Sequence, residues 1–154
     1  MERKIEILVD GSNIAFFLRD ERKKAKLSTL KLLILYLEEI KKMYAIEYQI
    51  ITDASLKYRI DDKHKLEEYY RRGKIVECPK GVKADYFTIE YANRYPDSTI
   101  IISNDGFKEY NTSNLIIIKF GLIFNDIVLK PDLREILTKL RLSYSMSGEK
   151  VETA

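Results

Sequence analysis

Two short segments of this sequence are apolar at every position, and they restrict the fold more than any other feature. The segments are Ile100–Ile102 and Leu115–Ile118. A strand with one face in water alternates apolar and polar side chains, whereas a strand covered on both faces is apolar throughout. We therefore expect two central strands of a parallel sheet that has helices packed on both sides.

Strand-like and helix-like patterns alternate along the rest of the chain. Runs rich in Ile and Val predict five strands, at Lys4–Val9, Glu47–Thr52, Lys74–Glu77, Thr99–Ser103 and Asn114–Lys119. Apolar residues spaced by three and four predict helices near residues 30–44, 61–72 and 84–95, and a last helix that begins with Pro131 and runs to Leu142. This alternation is typical of a doubly wound α/β fold.

Composition limits the class of protein. The chain has 154 residues, of which 45% are hydrophobic, and this is enough for a single domain with a real core, predicted at residues 1–142. Residues 143–154 are polar and are predicted to form a flexible tail. Cys78 is the single cysteine and His64 the single histidine, so an intrachain disulfide and a zinc site built from cysteine and histidine are both excluded.

Charge and hydropathy indicate where such a chain works. The first six residues carry charge where a secretion signal needs an apolar run, and no segment holds the roughly 18 apolar residues of a membrane-spanning helix. We therefore expect a cytoplasmic protein that does not contact a membrane. The net charge of +3, from 27 basic and 24 acidic residues, permits a nucleic-acid partner. The sequence leaves open whether the chain forms a homodimer.

Acidic residues follow the predicted strands at the places where an α/β sheet binds its ligand. Ligands of such sheets bind outside the carboxyl ends of the strands. Asp10 follows the first strand, Asp105 follows the fourth, and Asp85 lies in the first turn of the third predicted helix. If a short helix opens at Asn104 or Asp105, Glu109 faces the same way as Asp105. These four carboxylates form the candidate site.

Carboxylates that meet at one edge of a sheet repel each other unless a cation lies between them. Because the chain has no set of histidines or cysteines for a softer metal, oxygen ligands of this kind favour Mg²⁺ or Mn²⁺. Such ions lower the pKa of a bound water and neutralise the charge of a phosphodiester. The pattern therefore indicates a metal-dependent nuclease. Asp53, at the end of the second predicted strand, is a further acidic candidate near this site.

Several motifs occur in a fixed order along the chain. They are Val9–Ala15, Ala84–Phe87, Ile102–Glu109, and Phe124–Asp126 leading to Lys130–Asp132. In these motifs the chain resembles the NYN branch of the PIN-like ribonucleases, the branch that includes the Regnase-type endoribonucleases. The resemblance runs from about Ile5 to Asp132, and its first and third motifs are the more specific ones.

The resemblance implies a fold and a reaction. The implied fold is PIN-like, a three-layer α/β/α sandwich with a mainly parallel five-stranded sheet in the order 3-2-1-4-5. The implied activity is that of an endoribonuclease that uses Mg²⁺ or Mn²⁺ and leaves 5′-phosphate and 3′-hydroxyl ends. The implied catalytic acids and metal ligands are Asp10, Asp85, Asp105 and Glu109, and Asn13 is implied to brace the first carboxylate.

Two residues depart from the family pattern. Regnase-type enzymes often carry two adjacent acids where this chain has Ala84 and Asp85, and their last acid is usually Asp where this chain has Glu109. The first departure motivates an alternative, a weak or inactive NYN-type module that binds RNA without cleaving it. Another alternative is a phosphatase of the haloacid-dehalogenase type, which needs an acid where this chain has Ser12.

An RNA substrate, single-stranded or in a stem-loop, needs basic and flat side chains beside the acids. The chain has 11 tyrosines, although Tyr91 and Tyr95 share a helical face with Phe87 and are predicted to lie in the core. The residues predicted to contact RNA lie close to strand ends, and they are Ser12, Lys57, Arg59, Ser103, Asn104 and Lys108.

Overall fold

The sheet has six strands, of which the first five are parallel. A computed structural model describes residues 4–141, so the tail predicted at 143–154 lies outside the described residues. The order of the strands across the sheet is β3-β2-β1-β4-β5-β6, and β6 runs antiparallel to β5. Their bounds are Ile5–Asp10 (β1), Ile46–Thr52 (β2), Ile75–Glu77 (β3), Thr99–Ile102 (β4), Ile116–Ile123 (β5) and Asp126–Lys130 (β6).

The mixed α/β fold is confirmed, but the prediction of five strands is wrong by one. The predicted order 3-2-1-4-5 holds for the first five strands, and β6 extends the sheet beside β5. β6 follows β5 through a two-residue turn, Phe124 and Asn125, whose φ angles are +50° and +64°. Hairpin turns with positive φ at both positions usually carry Asn or Gly. A phenylalanine at the first position hides this signal in the sequence.

Helices fill the connections between the strands. The α3 helix has the predicted bounds to within two residues, and the Asp62 side chain accepts a hydrogen bond from the Lys65 N–H and caps its start. Gly73, with a φ of +74°, follows its end. The helices are Gly11–Ala15 (α1), Leu27–Met43 (α2), Lys63–Arg71 (α3), Ala84–Arg94 (α4) and residues 133–141 (α5).

The α5 helix begins later than predicted, since Pro131 does not occupy its first position. The Asp132 side chain accepts a hydrogen bond from the Arg134 N–H at 2.8 Å and so caps the helix. Proline and aspartate are both common at helix starts, and here the aspartate sets the boundary. None of the helices within residues 4–141 has the length and apolar character needed to cross a membrane.

Helices cover both faces of the sheet, which gives the three layers expected from the resemblance. On one face α1, α2, α3 and α5 surround a large core in which Ile7, Leu33 and Leu66 are fully buried. On the other face α4 packs, where Ile89 and Ala92 belong to a smaller buried cluster with Ile101 of β4. Burial on both faces explains why Ile100–Ile102 of β4 are all apolar.

The predicted core position of Tyr91 on α4 and of Tyr95 just after it is wrong. Phe87 is 39% exposed and Tyr95 is 44% exposed, while the half-buried Tyr91 donates a hydrogen bond from its hydroxyl to Glu6. Buried residues such as Ile89 occupy the side of α4 that meets the sheet. The aromatic residues lie on the neighbouring side of the helix, and spacing alone does not distinguish the two sides.

Gly11 allows α1 to start directly against the sheet. A Cβ atom at this position would lie 2.8 Å from the Cγ2 atoms of Ile50 and Thr52, and 3.0 Å from the carbonyl oxygen of Ile51. All three neighbours belong to β2, so a larger residue would push α1 away from the strand. The close approach also fixes Asp10, which is the last residue of β1.

Replacing this glycine tests the close approach. Gly11→Ala is expected to lower the free energy of unfolding by roughly 1–3 kcal/mol, the usual cost of forcing an extra methyl group into a packed site. Gly121→Ala is the matched control, because a Cβ there would lie 3.8 Å from its nearest neighbour, the Val128 carbonyl oxygen. Urea denaturation measures both variants, and equal stability of the two would contradict the packing argument.

Candidate active site

Asp10 is a buried carboxylate held between two elements of the fold. The residue is 6% exposed. Its Oδ1 atom accepts a hydrogen bond from the Asn13 N–H at 3.4 Å, and this bond caps α1. Its Oδ2 atom accepts one from the Ser103 hydroxyl at 2.9 Å, and Ser103 directly follows β4. The orientation of the Asp10 carboxylate is therefore set from both sides.

The loop after β4 is organised around Ser103, which is fully buried. The Ser103 hydroxyl oxygen accepts a hydrogen bond from the Asp105 N–H at 3.1 Å, and Asp105 Oδ1 accepts one from the Phe107 N–H at 2.8 Å. This turn replaces the short helix expected to open at Asn104 or Asp105, so that expectation is wrong. Helical spacing consequently does not relate Glu109 to Asp105.

Two asparagines join α1 to the strands beside it. The Asn13 side-chain oxygen accepts a hydrogen bond from the Asn104 N–H at 2.9 Å. The Asn104 side chain makes two bonds, each of 2.8 Å, to the backbone carbonyl and N–H of Phe120 on β5. Asn13 therefore holds the loop after β4 with its side chain, and it contacts Asp10 through its backbone N–H.

The third side of the site comes from β2 and α4. Ser12 is buried, and its hydroxyl oxygen accepts a hydrogen bond from the Asp53 N–H at 2.9 Å. Asp53 Oδ1 accepts one from the Ala84 N–H at 2.6 Å, and this bond provides a partner for the first backbone N–H of α4, which has none within the helix. The next residue, Asp85, accepts a bond from the Tyr110 hydroxyl at 3.4 Å. The start of α4 is thus fixed to the end of β2.

These elements enclose a cleft at the carboxyl edge of the parallel strands. The cleft has two adjoining cavities. The first, of about 230 Å³, is lined by Asp10, Ser12, Asn13, Asp53, Lys83, Asp85 and Asp105. The second, of about 240 Å³, shares three of these lining residues and adds residues 106–110. Asp10 and Asp105, which are far apart in the sequence, therefore meet in one acidic cleft, and Glu109 lines its second cavity.

Burial makes Asp10 difficult to ionise. It raises the pKa of this carboxyl from 3.8 to about 6, and the negative charges of Asp105 and Asp53 add to the increase. The hydrogen bonds from Ser103 and Asn13 lower the pKa but do not cancel the effect of burial. A carboxylate in this environment is stabilised by a nearby cation.

The whole sequence, and not only the cleft, matches a known family. Residues 3–152 match the model described as Zc3h12a-like Ribonuclease NYN domain. The chain belongs to this family. The resemblance to NYN ribonucleases that the motifs indicate is thereby confirmed. No curated protein matches the sequence.

Solved structures of a plant ribonuclease share the fold of this NYN domain. The crystal structure of nuclear proteinaceous RNase P 2 (PRORP2) from A. thaliana has a TM-score of 0.58 at 17% identity, covering 82% of this chain and 29% of that chain. A structure of the Arabidopsis thaliana nuclear protein-only RNase P 2 has a TM-score of 0.62 at 15% identity, covering 82% and 30%. This chain therefore spans less than a third of the plant protein's length. At such identity the similarity shows a shared fold.

The chemistry of the acidic cleft fits a hard divalent cation. Its donors are carboxylate and amide oxygens, which Mg²⁺ and Mn²⁺ prefer. Within residues 4–141, no three Asp, Glu, His or Cys side chains lie close enough together to hold one ion directly. Mg²⁺ usually keeps several water ligands and binds through one or two carboxylates. The acids of this NYN domain therefore fit a hydrated ion.

The basic residues predicted to contact RNA have different surroundings. Lys108 lines the second cavity of the acidic cleft. Lys57 forms an ion pair with Glu77 at 3.3 Å, and the Arg59 guanidinium lies 4.5 Å from the centroid of the Phe16 ring. Neither Lys57 nor Arg59 lines the acidic cleft, and their contact with RNA stays a prediction.

The other predicted RNA contacts hold the loops of the cleft. Ser12 and Ser103 are buried, and the Asn104 side chain bonds to β5, so direct contact of these three residues with RNA also stays a prediction. Lys83 lines both cavities and is missed by the sequence reasoning. A lysine just before a helix has no special signature, and its position two residues before Asp85 is the signal that could have identified it.

Asp10→Asn removes the buried charge and is expected to stabilise the metal-free NYN domain at and above neutral pH. Because the pKa of Asp10 is raised in the folded state, this group favours folding below about pH 4 and loses that contribution as the pH rises through about 6. The difference between 3.8 and about 6 corresponds to roughly 3 kcal/mol. Chemical denaturation in EDTA is expected to show a variant more stable by roughly 2–3 kcal/mol at pH 8, with little gain near pH 4.

Glu39→Gln is the control for this measurement. Glu39 is an exposed acid on α2 that pairs with Lys42 at 2.9 Å, and its replacement is expected to give a stability difference that changes little with pH. A difference between Asp10→Asn and wild type that does not grow between about pH 4 and 8 would contradict the cost assigned to the buried charge.

Proposed function

We propose that this NYN domain is a metal-dependent endoribonuclease that hydrolyses the phosphodiester bonds of RNA with water. The observation that carries the proposal is the acidic cleft, in which Asp10, Asp85 and Asp105 come from three separate segments and line one cavity beside Lys83. Membership of a ribonuclease family supports the class of reaction. The expected substrate is single-stranded RNA or a stem-loop.

The residues proposed to hold the hydrated metal, one or two of them directly and the others through its water ligands, are Asp10, Asp85 and Asp105, with Glu109 in the adjoining cavity as a fourth acid. Mg²⁺ or Mn²⁺ bound in such a site lowers the pKa of water and neutralises charge on the phosphate. The environment of Asp10 supports this assignment, because a positive charge would offset both the burial and the repulsion from Asp105 and Asp53 that raise its pKa.

The side chains of the cleft are proposed to position the reacting atoms. The Ser103 hydroxyl and the Asn13 N–H hold the Asp10 carboxylate in one orientation. The exposed carboxylate of Asp105 accepts a proton from the attacking water, and the Lys83 ammonium contacts the phosphate. As the water oxygen bonds to phosphorus, the bond to the 3′ oxygen breaks, and the leaving oxygen keeps the electron pair and takes up a proton from solvent water. The products carry a 5′-phosphate and a 3′-hydroxyl.

Asp53 is proposed to supply the acid that Ala84 lacks. Ala84 is buried, and its N–H donates to the Asp53 carboxylate at 2.6 Å. A carboxylate from β2 therefore lies beside the start of α4, where the family often carries a second acid. The Asp53 charge also raises the pKa of Asp10, which supports a place for it in the same electrostatic site.

The alternatives differ in what they predict. A module that binds RNA without cleaving it, suggested by Ala84, would leave RNA intact in Mn²⁺. A haloacid-dehalogenase-type phosphatase would form a phospho-aspartate at Asp10. The position of its required second acid is held by Ser12, whose hydroxyl is buried and bonded to the Asp53 N–H, so the endoribonuclease is the better supported reading.

Asp10→Asn is expected to abolish cleavage and to keep the fold, because it removes one negative charge but preserves the side-chain size and a bond to Ser103. Wild type and variant are incubated with labelled single-stranded and stem-loop RNA in EDTA, Mg²⁺ or Mn²⁺. Wild type is expected to cleave with metal and not in EDTA. Mg²⁺ or Mn²⁺ is also expected to raise the thermal midpoint of the wild type more than that of the variant, since a ligand of the folded state stabilises it.

Glu39→Gln is again the matched control, because it also removes an acid. Glu39 is exposed near the end of α2, and α2 leads into the amino end of β2, at the edge of the sheet opposite the cleft. It is expected to cleave like the wild type. Retained cleavage by Asp10→Asn, or equal cleavage by the wild type in EDTA, would overturn the proposal. RNA binding without cleavage in either metal would establish the binding module instead.

Substitutions at Asp53 separate its charge from its hydrogen bond. Asp53→Asn keeps an oxygen for the Ala84 N–H and is expected to stay folded, whereas Asp53→Ala is expected to lose about 1 kcal/mol of stability. If the charge serves the metal, Asp53→Asn raises the Mg²⁺ concentration needed for half-maximal cleavage. A wild-type Mg²⁺ dependence in Asp53→Asn would show that Asp53 acts only by fixing α4.

A further inference from the structure

The β5–β6 hairpin projects past the carboxyl edge of the sheet, on the side of the acidic cleft. β5 pairs in parallel with β4 as far as Ile118, which lies opposite Ile102 at the end of β4. The strand then continues to Ile123, and at about 3.3 Å per residue this extension is about 16 Å long. The hairpin therefore forms an arm beside the cleft.

The base of this arm is attached to the wall of the cleft. The Lys119 ammonium donates a hydrogen bond to the Asp105 carbonyl oxygen at 2.9 Å, and the Asn104 side chain bonds to the backbone of Phe120. A strand of RNA leaving the cleft past Asp105 would meet the hairpin first.

One face of the hairpin packs on the core and the other does not. Phe120 lies opposite Leu129, and both are buried. The opposite face, which we term the outer face, contains three cross-strand pairs, and they are Lys119 with Lys130, Gly121 with Val128, and Ile123 with Asp126.

Two positive charges lie directly opposite each other on the outer face. Lys119 and Lys130 are cross-strand partners and both are exposed. Like charges in this arrangement destabilise a sheet, and within residues 4–141 neither lysine forms an ion pair with a carboxylate. An anion bound between them would remove the repulsion, and the phosphate of a nucleic acid provides that charge.

The middle of the outer face has no side chain on β5, because Gly121 lies there opposite Val128. A Cβ atom at Gly121 would meet only the Val128 carbonyl oxygen, at the ordinary distance of 3.8 Å, so packing does not require glycine there. Glycine inside a strand weakens it and often marks a place where a ligand approaches the backbone closely.

The tip of the hairpin carries an aromatic ring that contacts almost nothing. Phe124 is 97% exposed, and its φ is +50°. Positive φ is unfavourable for a bulky residue, so neither burial nor backbone conformation accounts for phenylalanine at this position. The neighbouring Ile123 is 60% exposed. A flat exposed ring at the tip of an arm that carries two lysines at its base offers a surface on which an unpaired base can stack.

We propose that the outer face of the β5–β6 hairpin binds the part of a single-stranded RNA that extends from the acidic cleft. Lys119 and Lys130 contact phosphates, the strand passes over Gly121, and one unpaired base stacks on Phe124. This inference rests on the proposed function, since it takes the substrate of the cleft to be RNA. It specifies a single-stranded segment beside the cleavage site, because a paired base cannot stack on the tip.

RNA binding by a non-cleaving protein tests the stacking contact. In an Asp10→Asn background with EDTA, the affinity for a single-stranded RNA of about 16 nucleotides is expected to fall about tenfold in Phe124→Ala, the usual effect of losing one stacked base. Phe124→Tyr, which keeps a flat ring, is expected to bind like the parent. Tyr95→Ala is the matched control, since Tyr95 is also exposed but lies just before the amino end of β4.

The length of the RNA distinguishes the hairpin from the cleft. An RNA of about 4 nucleotides fills the cleft alone, so its binding is expected to be the same in Phe124→Ala and in the parent. Phe124→Gly separates RNA binding from protein stability. Glycine adopts a positive φ without strain, so the thermal midpoint of this variant is expected to stay the same or rise, while its affinity for the long RNA falls. If Phe124 had only a structural role, the two quantities would not change in opposite directions.

Salt dependence tests the two lysines. The double variant Lys119→Gln, Lys130→Gln is expected to reduce the slope of log affinity against log salt by about 0.7 for each phosphate that the protein no longer neutralises. Lys41→Gln, Lys42→Gln is the matched control. It removes the same charge from the last turn of α2 and is expected to keep the parent slope.

Equal affinity of Phe124→Ala and Phe124→Tyr for the long RNA would overturn this inference. So would a change of oligomeric state in Phe124→Ala without a change in RNA affinity, which would show that the tip contacts a second copy of the chain. These outcomes are separate from those of the proposed function, because binding is measured without cleavage. If the Phe124→Ala variant cleaves RNA at the wild-type rate, the hairpin contact is refuted and the proposed function is not.

Discussion

The buried carboxylate of Asp10 is the constraint on which the rest of the site depends. An ionised group that is 6% exposed loses most of its hydration. Hydrogen bonds from the Ser103 hydroxyl and the Asn13 N–H replace only part of that hydration. The hydration that is not replaced makes the ionised form less favourable and raises the pKa of Asp10 to about 6. Capping α1 needs an oxygen at the end of β1 but not a buried charge, whereas the proposed cation would turn the unfavourable position into a binding site. Stability and the proposed function therefore oppose each other at this residue.

The loops around Asp10 resist the repulsion among their acids because each is bonded to the next element. The Ser12 hydroxyl holds the end of β2, and the Asp53 carboxylate holds the start of α4. On the other side, the Asn13 side chain holds the loop after β4, and the Asn104 side chain holds β5. Each of these side chains bonds to the backbone rather than to another side chain, so the position of the loop is fixed along with the residue. The carboxylates are consequently arranged before any ligand arrives, which reduces the cost of binding one.

Patterns within one element, and the edge at which parallel strands end, could be predicted from the sequence, whereas the side-chain contacts between elements could not. The buried strand at Ile100–Ile102 and the cap at Asp62 follow from local chemistry, and parallel strands bring Asp10 and Asp105 to the same edge without further information. The second strand of the hairpin is missed because Phe124 occupies a turn position that usually carries Asn or Gly. Asp53 is weighed only as a further acid, because its role depends on the spatial position of the Ala84 N–H, 31 residues away.

The charge of the acidic cleft creates a problem that the cleft does not solve by itself. Under the proposed function, four carboxylates, two of them Asp10 and Asp105, lie where RNA phosphates would approach, and among residues 4–141 Lys83 is the one lysine that lines the first cavity with them. The proposed divalent ion would remove the repulsion at one phosphate, but the adjacent phosphates would still face negative groups. Lys108 in the second cavity offers one favourable contact, and further contacts would come from outside the cleft, where the lysine pair Lys119 and Lys130 lies beyond the Asp105 loop. The net charge of +3 is a sum over the whole chain, whereas a polyanion senses the local arrangement, in which four acids line the first cavity and two lysines lie opposite each other on the hairpin.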